Sequence, residues 1–393
     1  MVNKVVVAGW LGWFSVFAVR FAPSPVLVLI EKSFGASHSD ASLIFTSHLL
    51  GYAIMQIPAG IMSDILGPLR VIIAGLIAMS LSCIAMGFSP NISTMVILAF
   101  IAGLGAGTFY TSSTSLISTL FSPSERGRAL GLVYSGIGAG ASASIIIGGL
   151  LGNIGLWREI FYIISIPGLI ASLIFMTIKP NPVGKSDSIQ YQSNIWSLMF
   201  QVLQERSIAI YNIVHALLLL TYFAVASFMP TYIVSTSESS ILYANLVSLS
   251  LSIPDIFGGF IGGYLIGAFG ARKIIYISFL SIAATNLIIP YLKPPIYVVF
   301  LLPVIGFMSR AAATALPILV IESTPKGIVG SILGWYNSIG FIGGSTGPYL
   351  FGVIADTAGF TLSFNTISIF PIISIILLYI SHPRSSYLKY KYY

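Results

Sequence analysis

Three charged residues, Arg20, Asp255 and Arg310, lie near the middle of long apolar segments. A charge in such a segment costs several kcal/mol unless it is paired, hydrated or bound to a ligand. A guanidinium offers a planar set of donors that suits a carboxylate or a phosphate, and a desolvated carboxylate tends to bind a proton. Two cations and one anion leave one excess positive charge, so the set favours an anionic ligand over a cationic one.

Each of the three residues also has a structural interpretation. Arg20 is either an anchor for an anion, a member of a structural pair, or a side chain that reaches toward the membrane surface. Arg310 is either a second contact with the ligand or the permanent partner of Asp255. Asp255 is then either a proton acceptor or a simple counter-charge.

Further polar residues share these apolar segments. His48 and His215 are titratable near neutral pH, which suits proton transfer, although a lone histidine among small residues is more often a packing group. The neutral candidates for contacts with a ligand are Tyr52, Gln56, Tyr110, Tyr134, Tyr222, Asn245, Asn286, Trp335, Tyr336 and Asn337. Of the neutral candidates, we predict that Tyr110, Tyr222 and Asn337 contact the ligand. Of the titratable residues, we predict that Asp255, His48 and His215 serve proton coupling.

The composition places these residues in a membrane protein. The chain has 393 residues, of which 56% are hydrophobic and only 7% are charged, against about 25% charged residues in soluble proteins. This excludes an ordinary soluble enzyme. Apolar runs of membrane length predict an all-α polytopic protein with twelve transmembrane helices. They fall near 5–30, 40–63, 69–89, 92–121, 125–152, 157–178, 208–233, 239–268, 272–290, 295–322, 326–354 and 360–381.

The twelve predicted helices divide into two halves that resemble each other. We predict a six-helix half at 1–178, a polar cytoplasmic linker at 179–207, and a second half with a short basic tail at 208–393. Three residues of the first half recur 203 positions later. The matching sets are Gly60, Gly67 and Arg70, and Gly263, Gly270 and Lys273. Parallel repeats with a site between them at the membrane midplane are typical of one large class of transporters.

The distribution of basic residues predicts the orientation. With the N-terminus inside, the predicted cytoplasmic segments hold thirteen of the eighteen Lys and Arg residues, and the external loops hold only Lys32, Arg158 and Lys293. Cytoplasmic loops are enriched in basic residues. We therefore expect both termini in the cytoplasm and the protein in the plasma (cytoplasmic) membrane.

Several other functions are excluded or disfavoured by the sequence. The basic residues are scattered, which argues against nucleic-acid binding. No cluster of His, Cys and carboxylates has the spacing of a metal site, and the single cysteine, Cys83, allows no intrachain disulfide. We expect no enzyme activity, no metal and no cofactor. The expected partners are the lipid bilayer, protons and a small-molecule anion, with the protein acting as a monomer.

The stretch from Gly60 through Asp64 and Gly67 to Arg70 resembles the signature between helices 2 and 3 of the major facilitator superfamily. Further segments at 124–128, 155–158 and 343–348 resemble other motifs of that family in the same order. The resemblance implies two halves that rock to give alternating access. It also implies a gating motif of Gly60, Asp64, Gly67 and Arg70. Pro68 and Leu69 stand where the family most often has cations, which leaves Arg70 as the basic member.

The stretch from Arg20 to Gly60 resembles the sugar-phosphate-permease and organic anion:cation symporter branches, in which a helix 1 arginine holds an anionic substrate. The phosphate-exchanging relatives in these branches place another arginine in helix 7, whereas this chain has none after Arg206. The resemblance therefore favours a carboxylate over a phosphate ester. We expect a secondary transporter of a small organic anion, coupled to protons. The alternatives are a drug/proton antiporter that exports amphipathic compounds and, from another class, a receptor or sensor that transports nothing.

Overall fold

The computed structural model describes residues 2–121, 123–178, 201–237, 239–293, 297–325 and 328–381, apart from the side chains at 2–3, 118–119, 123–128, 255–256 and 260. These residues form α-helices joined by short turns. The first group is α1 Val2–Phe21, α2 Leu27–Phe34, α3 His38–Leu66, α4 Pro68–Gly87, α5 Ile92–Leu120, α6 Pro123–Asn153 and α7 Glu159–Met176. The second group is α8 Arg206–Ser237, α9 Ile241–Phe269, α10 Ala271–Ile288, α11 Val298–Glu322 and α12 Val329–Ile380.

The described helices make twelve membrane spans. Eleven continuous segments are long and apolar enough to cross a bilayer, and the first of them runs through α1 and α2. The last, α12, has 52 residues and contains a non-helical Gly359 with φ 82° and ψ 168°. At about 1.5 Å per residue it is far longer than the roughly 30 Å of a hydrocarbon core, so Gly359 divides it into two spans. The predicted all-α fold with twelve spans is confirmed.

The break in the first span follows from its prolines. The α1 helix ends at Phe21, and a single 3₁₀ turn, Ser24–Val26, precedes α2. Proline lacks the amide hydrogen that an α-helix needs, so Pro23 and Pro25 interrupt the hydrogen bonding. The sequence predicted this interruption, and it leaves Arg20 in the last turn of α1.

The internal repeat is visible in the backbone. Gly67, between α3 and α4, has φ 85° and ψ 144°, and Gly270, between α9 and α10, has φ 84° and ψ 148°. The helices that precede these glycines also begin alike. The side chains of Ser37 and Ser240 cap α3 and α9 by accepting backbone N–H groups three residues ahead. Both pairs are 203 residues apart. The boundaries of the two halves stay a prediction, because 179–200 lies outside the described residues.

The two groups of six spans contact each other toward one end of the bundle. We call the end where α1 begins, with Lys4, Arg70 and Arg272, the basic end, and the other the opposite end. At the opposite end the Ser24 hydroxyl donates to the carbonyl oxygens of Ala226 and Ser227, 3.0 Å away in each case.

Further cross-group hydrogen bonds lie at or toward the opposite end. The backbone N–H groups of His38 and Ser39 donate to the carboxylate of Asp356 at 2.9 and 2.8 Å. Nearer the middle of the bundle, the Thr46 hydroxyl donates to the Ser345 carbonyl oxygen at 2.8 Å.

The basic end is loosely packed by comparison. A Cβ atom added at Gly60, Gly131, Gly263 or Gly334 would find no described atom within 4 Å, and Ile65 is 75% exposed. Glycines inside the helices nearer the opposite end meet close neighbours, whereas Gly35, Gly155 and Gly359 in the turns there have open space. Gly149, for example, lies against Asn245 of the other group. The hydrogen bonds between the two groups therefore lie toward the opposite end and the middle of the described bundle, and we infer that the groups part at the basic end.

Candidate functional site

Arg20 lies in the interior of the bundle, where the two groups of spans meet. Its side chain is only 3% exposed. Arg20 is in the last turn of α1, directly before the proline break, and its guanidinium lies between helices. The structure thus places Arg20, the principal candidate for anion binding, in the buried interior of the protein.

Four aromatic rings surround the guanidinium of Arg20. Its central carbon lies 4.4 Å from the ring centroids of both Phe17 and Tyr52, 5.0 Å from that of Phe341 and 5.8 Å from that of Phe223. Two of these rings come from α1 and α3 and two from α8 and α12. The faces of aromatic rings attract cations, by about 0.5 to 2 kcal/mol for each contact. Both halves of the protein therefore contribute to this aromatic cage.

The cage does not satisfy the hydrogen-bonding groups of Arg20. Its Nε, Nη1 and Nη2 atoms are all buried and make no well-formed hydrogen bond to a described residue, although the Tyr52 hydroxyl is close enough to interact with them. Ring faces attract positive charge but offer no lone pairs in the plane of the guanidinium. A buried charge without hydrogen bonds loses several kcal/mol of hydration. A group with acceptor atoms and a negative charge would satisfy these donors.

Several of the predicted contacts lie around this cage. Tyr222 and His48 are within electrostatic range of Arg20. The ring of Tyr110 packs edge-on against Trp13 with a centroid distance of 6.0 Å, and Tyr110 is within electrostatic range of Tyr52. The structure thus gathers the first predicted anchor and two of its predicted neutral contacts in one region.

Asn337 lies in the same region but faces a protein partner. Its Nδ2 donates to Oε1 of Gln56 at 2.7 Å, which joins α12 to α3 across the two groups of spans. Gln56 and Tyr52 are four residues apart on α3, and Asn337 and Phe341 are four residues apart on α12. Residues with this spacing share a helix face. The amide pair therefore lies one helical turn from the aromatic cage, on the side of the open cavity.

Arg310 is positioned by a different pair of helices. Its aliphatic chain in α11 lies over Gly258 and Gly259 of α9, because a Cβ at Gly258 would stand 2.9 Å from Arg310 Cβ. Asp255 precedes these glycines by three and four residues, so its backbone is on the same face of α9. The Asp255 side chain lies outside the described residues. The choice between a substrate contact and a salt bridge for Arg310 stays open.

The two histidines occupy packed positions. His215 stacks on the ring of Tyr336, with centroids 4.0 Å apart and 7° between the planes, and its Nδ1 is 3.1 Å from the Tyr336 carbonyl oxygen. His48 is buried where α3 crosses α5, and its backbone lies against Gly103. These contacts are those of packing groups. Their predicted part in proton coupling stays a prediction.

The predicted gating motif lies at the open, basic end. Gly67 supplies the positive φ that the turn between α3 and α4 requires, a conformation that favours glycine. Gly60 has open space beside it, and Asp64 and Arg70 are exposed, without an ion pair to any described residue. Within the described part of the chain, neither Asp64 nor Arg70 is paired with a charged residue of the other group.

The part of the chain that the structure describes contains no group of three or more His, Cys, Asp or Glu residues that could hold a metal ion.

Sequence reasoning missed the cage residues Phe17, Phe223 and Phe341. For Phe17 a signal existed, because it precedes Arg20 by one helical turn on α1. The other two come from distant helices, and the sequence carried no sign that they approach Arg20.

Comparison with known proteins identifies the family. The sequence model of the Major Facilitator Superfamily matches residues 9–302 and 211–389. The cis,cis-muconate transport protein of Acinetobacter baylyi is 24% identical, covering 85% of this chain and 83% of its own. The probable galactarate/D-glucarate transporter GudP of Escherichia coli is 27% identical, with 86% and 82% covered. The multidrug resistance protein Stp of Mycobacterium tuberculosis is 29% identical over 44% of this chain and 32% of its own.

A solved structure shows the same fold. It is that of a bacterial homolog of the human lysosomal transporter Spinster, in an inward-facing and occupied conformation. The TM-score is 0.81 at 17% identity, and the match covers 96% of each chain.

Proposed function

We propose that this chain, a transporter that belongs to the major facilitator superfamily, moves a small organic anion across the membrane with Arg20 as its anchor. A carboxylate is the preferred substrate, ahead of a phosphate ester. The observation that carries the proposal is the guanidinium of Arg20, which is 3% exposed, has no carboxylate within salt-bridge distance among the described residues and has only weak polar contact, with the Tyr52 hydroxyl. A carboxylate would provide the paired acceptors that a guanidinium fork matches.

The named substrates of two relatives support a carboxylate. Muconate and galactarate or D-glucarate, which appear in the names of those relatives, are all carboxylate anions. The last six spans support the same choice, because α8 has no arginine after Arg206 at its start.

The open cavity supports an alternating-access cycle. In this conformation Arg20 is closed off from the opposite end, and the cavity opens at the basic end. Basic residues mark the cytoplasmic side of membrane proteins, so we assign the basic end and both termini to the cytoplasm, in the plasma membrane. Asp64 and Arg70, which are exposed and apart here, would engage when the cavity closes on that side. Rocking of the two halves would then expose Arg20 to the exterior.

Proton coupling is assigned to Asp255. It lies within α9, directly after Pro254, and its backbone is one turn from the glycines that contact Arg310. A carboxylate in an apolar helix binds protons readily, and a neighbouring arginine opposes this. If the distance between Asp255 and the neighbouring arginine changes during transport, proton binding by Asp255 would be coupled to the position of the substrate.

Export of amphipathic compounds is the second candidate function. The similarity to the Stp protein over 173 residues favours it, as do the aromatic rings of the cage, which suit apolar ligands. The buried guanidinium argues against a cationic drug, because two positive charges would then share one apolar site. Competition experiments separate the two functions. If the protein transports organic anions, other anions should inhibit uptake of a labelled carboxylate, and neutral or cationic drugs should not.

Reconstituted protein in liposomes tests the proposal. Uptake of labelled cis,cis-muconate under an inward proton gradient should be saturable, and Arg20→Gln should reduce it at least about 100-fold, from the loss of two or more hydrogen bonds to a charge at roughly 1.5 to 3 kcal/mol each. Arg20→Lys should restore only part, because an ammonium lacks the planar fork. Arg272→Gln is the matched control, since Arg272 lies at the basic end and donates to the Tyr211 hydroxyl at 3.1 Å.

Two outcomes would refute the anion proposal. One is carboxylate uptake that survives Arg20→Gln at the wild-type level. The other is flux of neutral or cationic drugs only. A complete absence of flux for all compounds under any gradient would instead support a receptor or sensor.

A further inference from the structure

The hydrogen bond between Gln56 and Asn337 joins the two groups of spans close to the aromatic cage. It joins residues 281 positions apart, and it lies one turn, about 5.4 Å along the helix, from the Tyr52 and Phe341 rings that contact Arg20. The direction of that turn is toward the open basic end. A ligand that enters from this end must therefore pass the amide pair before it reaches Arg20.

The amide of Gln56 is only half satisfied. Gln56 is 2% exposed, and its Oε1 accepts the hydrogen bond from Asn337. Its Nε2 is buried and has no hydrogen-bond partner among the described residues. A buried donor without an acceptor destabilises the folded protein. The bond from Asn337 occupies the oxygen of the amide and so leaves the nitrogen as the group that needs an acceptor.

The unpaired N–H groups of Gln56 and Arg20 lie in the same region of the bundle, about one helical turn apart. Tyr52 links them, because it contacts the guanidinium and shares a face of α3 with Gln56. A carboxylate has two oxygen atoms with about four acceptor positions. One guanidinium edge leaves some of these positions unused, and an amide N–H one turn away is suited to occupy one.

We propose that Gln56 is a second donor to the substrate carboxylate, and that Asn337 is a positioning residue that orients the Gln56 amide from the other half of the protein. This inference rests on the proposed function of Arg20 as an anion anchor. The bound anion would accept hydrogen bonds from Arg20 and from Gln56 Nε2, while Gln56 Oε1 holds Asn337. The substrate is then connected to both halves through a single amide.

This connection links binding to movement. Hydrogen bonds in a chain polarise one another, so an anion on Nε2 makes Oε1 a better acceptor and strengthens the bond to Asn337. Substrate binding would then favour the arrangement in which the halves are joined around the site. Without substrate, the single neutral hydrogen bond between Gln56 and Asn337 holds the halves together only weakly.

Binding and exchange measured on the purified full chain test the inference. Titration calorimetry with cis,cis-muconate and with D-glucarate gives the affinity, and exchange of labelled muconate in liposomes gives the rate. Gln56→Ala should weaken binding about 10- to 100-fold, which is the range for one hydrogen bond to a charged group. Asn337→Ala should weaken binding less than about 3-fold, because Arg20 and Gln56 remain, but slow exchange about 10-fold or more.

Two further variants serve as controls. Thr46→Val removes a different cross-half bond between the same helices, from the Thr46 hydroxyl to the Ser345 carbonyl, and it should leave the affinity unchanged. Gln56→Glu places a carboxylate one helical turn from the rings that surround Arg20, so it should abolish anion binding and raise the thermal stability of the free protein. The raised stability also shows that a variant at this position folds.

The outcomes distinguish this inference from the proposed function. Wild-type affinity in Gln56→Ala, or an equal loss of affinity in Thr46→Val, overturns the role of Gln56. Equal losses of affinity and exchange rate in Asn337→Ala overturn the positioning role. If Arg20→Gln abolishes binding while Gln56→Ala binds like wild type, this inference alone fails. If Arg20→Gln binds like wild type, the proposed function fails as well.

Discussion

Asp356 closes the opposite end of the bundle through the backbone of another helix. Its carboxylate accepts the N–H groups of His38 and Ser39 at 2.9 and 2.8 Å, where α3 begins. These amides have no partner within their own helix, and the positive end of the helix dipole favours an anion at this point. The contact joins α12 to α3, so it exists only while the opposite end is closed. Asp356→Ala should therefore favour the state that is open at that end.

The size of the effect follows from the two hydrogen bonds. Hydrogen bonds to a charged group contribute about 1.5 to 3 kcal/mol when they are well shielded. Asp356 is exposed, so solvent screening reduces each to roughly 1 kcal/mol. The total of about 2 kcal/mol corresponds to a shift of roughly 30-fold in the ratio of the two conformations.

Distances between spin labels measure this ratio. Lys32 and Lys293 are exposed at the opposite end of different groups of spans, and cysteines at both positions accept labels. The native Cys83 is buried, which protects it from labelling. Double electron–electron resonance should show a larger population at long distance in Asp356→Ala than in the wild-type background.

Asp40→Ala is the matched control. Asp40 caps the same helix from within its own half, where its Oδ2 accepts from the Ser37 hydroxyl at 2.8 Å. Its loss should lower stability by about 0.5 to 2 kcal/mol without changing the label distances. The reasoning is refuted if Asp356→Ala leaves the distance distribution as it was, or if Asp40→Ala changes it equally.

Three other predictions follow from packing and charge. A Cβ at Gly140 would collide with the Phe14 carbonyl oxygen, whereas Gly131 has open space. Gly140→Ala should therefore lower the free energy of unfolding by about 1 to 3 kcal/mol, and Gly131→Ala should leave it unchanged or raise it by up to about 1 kcal/mol. Thermal denaturation in detergent measures both variants. His215→Phe, in which a ring can still stack, should retain the wild-type pH profile of uptake; a flattened profile would instead make His215 a coupling residue. Asp255→Asn should remove the dependence of uptake on the proton gradient but retain exchange of labelled anion, and uptake that is still driven by the gradient would contradict the assignment.

Much of the architecture could be predicted from the sequence. The positions of the spans follow from apolar runs, and the break after Arg20 follows from Pro23 and Pro25; both are confirmed by the helices. The repeat could be read from Gly67 and Gly270, whose φ and ψ angles agree within a few degrees. These features are local, because hydropathy, proline and positive-φ glycine act on the chain within a few residues of their own positions.

The sequence by itself thus determined a twelve-span membrane protein with two related halves and a costly arginine in its interior. Only the tertiary structure decided what surrounds that arginine. The cage unites Phe17 and Tyr52 with Phe223 and Phe341, and the amide pair unites Gln56 with Asn337, from helices that are distant in sequence. It also decided which end is closed. Such contacts depend on how one half packs against the other, and no short-range pattern in the chain encodes that arrangement.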